Sequence, residues 1–310
     1  RLGVFPKSGL AVLRSAWPSE GSFTTASYLA QQCAFHSRSH KQADDLSFIW
    51  YDRGSEILID AGRFSYLGRT KPGSELHAQG FWYSDPRRIY VESTRAHNTV
   101  EIDGRDFERK GRKPFGSAIE RWGETRDGLQ FVETHVRHFK TMHHARVLIV
   151  KPHGWLLVFD WLWDNLEAKH DYRQRFLFAP TLEVKKENSA LHASGAALDA
   201  RLNVVSLLAG VEVQDPARGQ EEPQLLGWWS PSANAFEPTT AVSFDRTAVR
   251  SARFATLFSF GDEVTPDHES SRVNSSGRDV RLQWSESDGT HTLRMQRPED
   301  GEITIDYRVE

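Results

Sequence analysis

Short apolar runs separated by turn residues are the feature of this chain that most constrains its fold. Helical periodicity is scarce, and from residue 131 onward one short run follows another. Turn sequences such as KPHG at 151–154 and SDG at 287–289 stand between them. Many short strands joined by turns are typical of antiparallel sheets. The runs cover residues 131–136, 145–150, 155–160, 172–178, 202–208, 254–260, 280–284, 290–295 and 303–307.

This pattern predicts an all-β fold, a large antiparallel β-sandwich of two stacked sheets with few or no helices. The 310 residues are enough for one such domain over 1–310, with a sizeable core. We expect a small C-terminal sheet subdomain from about residue 200. We find no internal repeat, no coiled-coil heptad and no glycine pattern of a dinucleotide site or P-loop.

Composition narrows the classes of partner. The formal net charge is -3 and 26% of residues are charged, which gives no bulk electrostatic reason to expect nucleic acid or an anionic membrane. No apolar run is long enough to span a bilayer. Cys33 is the single cysteine, so an internal disulfide is impossible, which suits the cytoplasm and equally a periplasmic protein without bridges.

A predicted hairpin carries ionisable groups at both of its ends. Two apolar runs, 46–51 and 57–59, flank the turn sequence DRG, which is a hairpin signal. His40 and Gln42 precede the first run, and Asp60 closes the second. Ionisable groups at strand ends can meet in space although they are far apart in sequence.

The strongest constellation combines this hairpin with a third segment. If His40 and Gln42 lie on an extended segment, both face the same side, because side chains two apart in a strand do so. Asp60 ends the next strand, and His97 and Asn98 open a third. Imidazole with carboxylate suits a divalent metal such as zinc. Imidazole alone suits general acid–base catalysis near neutral pH.

Other histidines and aromatics have simpler interpretations. His143 and His144 are neighbours on a predicted strand, so they point to opposite faces, and we interpret both as structural. We interpret His135 and His138 in the same way, since neutral imidazole often serves as a plain hydrogen-bonding group. The 10 Trp and 18 Phe are numerous against 2 Met. Aromatic residues suit a sandwich, and exposed ones suit stacking on sugars.

Three motifs in order carry a resemblance to a known family. The segments are HKQADDLSF at 40–48, LIDAG at 58–62 and RAHNTV at 95–100, and an Asp-Gly turn follows at 103–104. Together they resemble the heparinase II/III-like family, and the chain looks like the C-terminal β-sandwich region of those polysaccharide lyases. Family members pair this sandwich with an N-terminal helical toroid. Nothing in the chain resembles the toroid, so we expect an N-terminal helical domain as its partner in the full-length protein.

The resemblance implies a chemistry and a partner. Family members cleave uronate-containing acidic polysaccharides by β-elimination and are commonly exported, which implies a periplasmic or secreted location, with the cytoplasm still open. The first histidine of the family motif matches His40, which would act in proton transfer or charge neutralisation. Arg95, Asn98 or a bound cation would neutralise the substrate carboxylate. The catalytic partner is expected to be a tyrosine outside this chain, and Tyr66 is the candidate within it.

The resemblance also implies a metal site. Its three ligand positions match Gln42, Asp60 and His97, which would hold a divalent ion such as zinc or calcium. Gln42 stands where the family has a histidine. An amide oxygen is a poorer zinc ligand than imidazole, so a hydrogen-bonded cluster or a weaker ion site is the alternative to zinc at these residues.

Two other functions stay open from the sequence. One is a noncatalytic carbohydrate-binding or scaffolding sandwich, in which aromatic residues stack on sugars and the histidines are structural. The other is a glycoside hydrolase with a pair of carboxylates, Asp44 or Asp45 together with Asp60.

Overall fold

Antiparallel strands make up almost all of the regular structure in the computed structural model, which describes residues 1–17, 23–261 and 263–310. The predicted all-β fold is confirmed. The strands in chain order are β1 (Leu2–Phe5), β2 (Leu10–Arg14), β3 (Tyr28–Gln32), β4 (Ala34–Phe35), β5 (Phe48–Asp52), β6 (Ser55–Leu58), β7 (Val100–Ile102), β8 (Gly116–Ser117), β9 (Ile119–Glu124), β10 (Gln130–His138), β11 (Met142–Lys151), β12 (Trp155–Asp164), β13 (His170–Phe178), β14 (Glu183–Glu187), β15 (Ala190–Ser194), β16 (Leu202–Ser206), β17 (Glu212–Val213), β18 (Ala217–Arg218), β19 (Trp228–Trp229), β20 (Glu237–Pro238), β21 (Thr240–Val249), β22 (Ser251–Phe260), β23 (Thr265–Pro266), β24 (Arg272–Val273), β25 (Asp279–Glu286), β26 (Gly289–Gln296) and β27 (Thr304–Val309).

Two large sheets stack face to face. One has ten strands in the order β1-β2-β3-β5-β6-β13-β21-β17, with β7 paired to β13 and β18 paired to β21. The other has eight strands in the order β14-β15-β16-β22-β12-β11-β10-β9. Phe258 of β22 meets the rings of Trp50 and Phe176 from the first sheet, at centroid distances of 6.0 and 4.9 Å. Aromatic packing of this kind fills the core between the sheets.

A third layer covers the other face of the eight-stranded sheet. The strands β23 to β27 form a five-stranded sheet, and Trp155 of β12 packs on Trp284 and Tyr307 at centroid distances of 5.9 and 5.3 Å. The C-terminal sheet expected from about residue 200 begins in the structure at β23. Between residues 202 and 260, the strands β16, β17, β18, β21 and β22 join the two larger sheets instead, and β19 pairs with β20 in a small sheet of two strands.

Among the described residues, the α-helices lie in the connection between β6 and β7. They are α1 (Glu75–Gln79) and α2 (Pro86–Glu92), and a short 3-10 helix follows them at Thr94–Ala96, while another covers Phe23–Thr25 between β2 and β3. Asp85 caps α2, since its carboxylate accepts the N–H of Arg87 at 2.9 Å, which satisfies one of the free N–H groups of the first turn. Within the described residues, none of the helices has the length and apolar character needed for a bilayer crossing.

The predicted hairpin is present as β5 and β6. Arg53 and Gly54 form its turn with φ values of 49° and 76°, as a tight two-residue hairpin turn requires. The pairing of Asp52 with Ser55 closes the ladder. The strand β6 therefore ends just before Asp60, at one rim of the ten-stranded sheet.

A buried arginine links the eight-stranded sheet to segments next to the ten-stranded sheet, and it is paired with an aspartate of its own sheet. Arg146 of β11 donates to both carboxylate oxygens of Asp160 on β12, at 2.8 and 2.7 Å. Its Nη1 donates to the carbonyls of Leu46 and Asn98 at 2.9 and 2.6 Å. Burial alone would raise the pKa of Asp160, but Arg146 and a neighbouring histidine hold it well below its usual range. Asp160 thus balances the charge of Arg146 within the eight-stranded sheet. The Nη1 of Arg146 holds the segments that lead into β5 and β7 of the ten-stranded sheet.

Replacing Arg146 with Met should destabilise the fold strongly. The change leaves the Asp160 carboxylate buried without its cation and frees two carbonyls, and loss of one partner of a buried pair costs about 3–5 kcal/mol. Urea unfolding monitored by tryptophan fluorescence measures the difference. The control is Arg250→Met, where the guanidinium is 67% exposed and the expected change is within about 0.5 kcal/mol. Equal unfolding midpoints for the two variants would contradict the assignment.

Candidate active site

Asp60 and His97 meet although 37 positions separate them in the chain. His97 Nδ1 donates to Asp60 Oδ2 at 3.1 Å, and Asp60 Oδ1 accepts the N–H of Gly62 at 2.8 Å. Asp60 follows the end of β6, and His97 ends the 3-10 helix before β7. The rim of the ten-stranded sheet therefore brings together two of the side chains named from the sequence.

The two side chains stabilise each other's charge. Burial alone would lower the pKa of His97, which is 1% exposed, but the Asp60 carboxylate outweighs burial and raises it. Burial alone would raise the pKa of Asp60, but the imidazolium and the N–H of Gly62 lower it. His97 Nε2 is buried and has no hydrogen-bond partner among the described residues. This arrangement suits a fixed imidazolium–carboxylate pair.

The predicted ligands do not fit a shared metal ion in this arrangement. His97 Nδ1 and Asp60 Oδ2 bind each other directly, and the Gln42 amide donates to the carbonyl of Gly62 at 3.0 Å. A zinc or calcium ion held by all three would need their ligand atoms to face one point. The observed contacts correspond instead to the hydrogen-bonded cluster that the sequence left as the alternative.

A different group offers ligands for a metal. Glu286, Asp288 and His291 place one ligand atom each within 4.8 Å of one another, as found by a search of the described residues. His291 Nε2 lies 2.7 Å from Asp288 Oδ1, and Glu286 accepts the indole N–H of Trp284 at 2.7 Å. The hairpin of β25 and β26 brings them together. The turn of this hairpin was predicted from SDG at 287–289 and its metal-ligating residues were not, although the spacing of two carboxylates and a histidine around the turn was a signal in the sequence.

His40 lies on an exposed loop and not on an extended segment. Its φ of 61° is left-handed, a strained conformation for a residue other than glycine. Its Nδ1 contacts the guanidinium of Arg63, whereas Gln42 turns to Gly62. The expectation that His40 and Gln42 share one strand face is therefore wrong, because consecutive turns replace the strand. Since a guanidinium only donates, Nδ1 accepts, and a neutral ring carries its proton on Nε2.

Tyr66 lies on the other side of Arg63. The guanidinium carbon of Arg63 is 5.3 Å from the centroid of the Tyr66 ring, and that of Arg88 is 5.2 Å away. The ring of Tyr83 meets Tyr66 edge to face at 5.3 Å. Tyr66 is 56% exposed. The structure thus joins the two predicted catalytic residues, His40 and Tyr66, through an arginine that sequence analysis did not single out.

A buried trio of charges holds this cluster in place. Glu92 of α2 accepts from Arg88 at 2.5 Å and from Arg109 at 2.9 Å. Arg88 also donates to the carbonyl of Arg63 at 2.5 Å, and Arg109 donates to that of Lys41 at 3.2 Å. One carboxylate therefore positions, through two arginines, the chain on both sides of the cluster. The i, i+4 spacing of Arg88 and Glu92 was a signal that could have been read from the sequence.

Asn98 serves the fold and is not placed to bind substrate. The side chain is 0% exposed. Its amide donates to the carbonyls of Phe48 and Ile59 at 2.7 and 3.0 Å, and its oxygen accepts the N–H of Leu177 at 2.7 Å. The side-chain amide and oxygen of Asn98 are therefore bound to backbone atoms. This corrects the expectation that Asn98 contacts the substrate.

Arg95 lies apart from the cluster. It is half-buried, and its guanidinium carbon is 6.0 Å from the ring centroid of the buried Tyr90. In the part of the chain that the structure describes, no hydrogen bond or ring contact joins it to His40 or Tyr66. Arg63 occupies the place next to both catalytic candidates that Arg95 was expected to occupy.

Asp44 and Asp45, the candidate carboxylates of a glycoside hydrolase, both form ion pairs. Lys41 contacts Asp44 and lies 2.9 Å from Asp45, and Arg112 donates to Asp45 at 2.8 Å. Burial alone would raise the pKa of Asp45, but the cations around it lower it. A glycosidase needs one carboxyl that keeps its proton, and the surroundings of Asp45 favour the opposite.

A groove of about 760 Å³ adjoins Asp60. Tyr28, Tyr51 and Trp229 line it together with Asp60 and Ile49, which is 37% exposed. Aromatic rings beside a carboxylate and polar groups are a common lining for sugars.

The sequence match decides the family. The family model described as heparinase II/III-like, C-terminal, matches residues 1–260. The chain belongs to the heparinase II/III-like, C-terminal family. The matched region ends with β22, so the five-stranded sheet lies beyond it. A search of curated proteins finds no match for the chain.

Solved structures share the fold of this heparinase II/III-like domain. The heparan sulfate lyase HepC from Pedobacter heparinus has a TM-score of 0.73 at 16% identity, over 97% of this chain and 43% of that one. A crystal structure of heparinase III has a TM-score of 0.70 at 15% identity, over 96% of this chain and 42% of that one. The chain therefore spans about two fifths of the length of these lyases.

Replacing Asp60 with Asn should lower the pKa of His97. Burial would remain while the carboxylate that outweighs it is lost, so the imidazole should titrate at lower pH. A titration of the histidine signals by NMR measures this shift. Asp199→Asn is the control, because Asp199 is 67% exposed and pairs with Arg53. An unchanged pKa of His97 in Asp60→Asn would show that the pair is not formed in solution.

The same pair gives a pH dependence of stability. The folded pKa of His97 is raised, so its contribution is fully present below the unfolded value of about 6.5 and is lost as pH rises through the folded pKa. The stability difference between the parent and Asp60→Asn should therefore narrow at alkaline pH. It should also narrow in acid, as pH falls through the lowered pKa of Asp60.

Proposed function

We propose that this domain forms one side of the cleft of a polysaccharide lyase that acts by β-elimination on uronate-containing acidic polysaccharides. The observation that carries the proposal is the exposed cluster of His40, Arg63 and Tyr66 at the rim of a heparinase II/III-like sandwich. The names of the related structures, a heparan sulfate lyase and heparinase III, support the same class of substrate.

The reaction sets three requirements. A base removes the proton at C5 of the uronate, the electron pair forms the C4–C5 double bond, and the bond from C4 to the glycosidic oxygen breaks. An acid protonates the leaving oxygen. A positive group must neutralise the adjacent carboxylate, because charge otherwise accumulates on it as C5 loses its proton.

Three side chains meet these requirements. Arg63 is the group that neutralises the carboxylate, since a guanidinium presents a fork of donors that matches it. When the substrate carboxylate takes up the guanidinium of Arg63, Nδ1 of the neutral His40 is released from it, and its lone pair accepts the C5 proton. Tyr66 is the in-chain partner acid, and its hydroxyl gives its proton to the leaving oxygen. Both candidates lie against Arg63, so one bound uronate can reach all three.

Charged groups behind the cluster act as positioning residues. Asp60 holds His97 and the N–H of Gly62, which directly precedes Arg63. Glu92 fixes the carbonyls on either side of the cluster through its two arginines. The periplasmic or secreted location and the N-terminal helical domain stay predictions.

Substitution of His40 by Ala in the protein that carries this domain should lower the rate of unsaturated uronate formation by a factor of about 10²–10⁴, the usual contribution of a general acid or base. Ultraviolet absorbance of the unsaturated product measures the rate on heparan sulfate and on hyaluronan. The control is His36→Ala, another exposed histidine of the same loop, whose ring contacts the carbonyl of Ser8. A parental rate in His40→Ala, or no unsaturated product from the parent, would refute the proposal.

Substitution of Tyr66 by Phe tests the acid. The change removes the hydroxyl and keeps the ring against Arg63 and Tyr83, so the fold should not change. We expect kcat to fall by about 10²-fold or more, measured with the same assay. Tyr83→Phe is the matched control, since it removes a hydroxyl from the neighbouring ring of the same cluster. If both variants keep the parental kcat, the acid is a residue other than Tyr66.

A further inference from the structure

A second groove lies at the β9–β10 edge of the eight-stranded sheet. Its volume is about 620 Å³. The loop before β8 forms one wall, and the hairpin of β10 and β11 forms the other. The lining contains one acidic side chain, Glu108, and four basic ones. The basic side chains are Arg112, Lys113, Arg137 and Lys140.

Three of the four cations are free to bind an anion. Arg112 is committed to Asp45 at 2.8 Å. Lys113, Arg137 and Lys140 are exposed, and no ion pair or hydrogen bond to their side chains occurs among residues 1–17, 23–261 and 263–310. Like charges gathered without counter-charges attract anions to the groove. A protein whose net charge is -3 thus keeps a local surplus of positive charge here.

The floor of the groove is a flat plate of two imidazoles. His135 Nε2 and His143 Nδ1 are 2.9 Å apart, and the rings are within 10° of one plane with centroids 5.1 Å apart. These values describe two rings side by side and not stacked. Trp163 lies parallel behind the plate, 4.6 Å from His143. Glu120 accepts from His135 Nδ1 at 3.3 Å, and Asn165 contacts His143 Nε2 at 3.1 Å.

The hydrogen bonds of the plate form one string. It runs from Asn165 through the two nitrogens of His143 and the two nitrogens of His135 to Glu120, so all four ring nitrogens have a partner. Burial lowers the pKa of His143, and the neighbouring His135 and Arg137 lower it further. A flat surface held by hydrogen bonds suits the face of a sugar ring, while the charged rim suits its carboxylate.

We propose that this groove is a second subsite for the acidic polysaccharide, in which a uronate ring stacks on the plate of His135 and His143 and its carboxylate pairs with Arg137 and Lys140. The substrate class rests on the proposed function. The loop that carries His40 contacts the wall of the groove, because Arg38, two residues before His40, donates to the carbonyl of Arg112 at 2.9 Å.

The test measures binding without cleavage. In a His40→Ala background, the double variant Arg137→Ala/Lys140→Ala should bind hyaluronan, an unsulfated uronate polymer, at least about tenfold more weakly than the background protein, as loss of charge-assisted hydrogen bonds implies. Isothermal titration calorimetry gives the affinities. Lys185→Ala/Arg201→Ala is the matched control, because it removes two cations that are 65% and 47% exposed near the opposite edge of the same sheet, and its affinity should not change.

NMR spectra give a second measurement, which reports on the groove itself. Hyaluronan should shift the imidazole signals of His135 and His143 in NMR spectra, and these shifts should disappear in the double variant. Unchanged affinity of the double variant, or no shift of either histidine, would overturn the subsite. An equal loss of binding to dextran sulfate or to single-stranded DNA would also overturn it, since it would show a general polyanion surface. Failure of the lyase proposal would appear separately, as absence of unsaturated product from the parent protein.

Discussion

The contact of Arg146 with the carbonyls of Leu46 and Asn98 is the constraint on which the rest of the site depends. A guanidinium in the core needs a counter-charge, and Asp160 supplies it within the eight-stranded sheet. Its Nη1 then reaches Leu46 and Asn98, in the segments that lead into β5 and β7 of the ten-stranded sheet. Asn98 is fixed by this contact and by its own amide, and His97 is fixed as the residue before it. The loop that carries His40 is held in the same way at Leu46.

Buried charges position the site, and exposed ones are left for chemistry. Asp160 and Glu92 are both buried and each binds two or more donors. His40 and Tyr66 are exposed and lie against Arg63. This division follows from electrostatics, since a buried carboxylate is stable only when its partners are fixed, whereas a group that transfers a proton must reach the substrate. The basic groove follows the same rule, with a hydrogen-bonded floor and a charged, exposed rim.

Local patterns predicted the architecture well, because strand periodicity and turn chemistry act over a few residues. The alternating runs and the DRG turn predicted the sheets and the hairpin of β5 and β6, which the structure contains. The meeting of Asp60 with His97 was also predictable, since both close or open strands at one rim. The third layer was harder to place, because residues 202–260 and 265–309 have the same strand-like pattern and differ only in which sheet they join.

The sequence by itself determined the fold class, the family motifs and the residue types available for chemistry, because periodicity and motif spacing are written along the chain. Only the tertiary structure decided the partners. It placed Arg63 between His40 and Tyr66, turned Asn98 into the core and joined His135 to His143 in one plane. Contacts of this kind depend on loop conformations and on pairs of strands distant in sequence, and the left-handed backbone of His40 is one such conformation that no alternation pattern predicts.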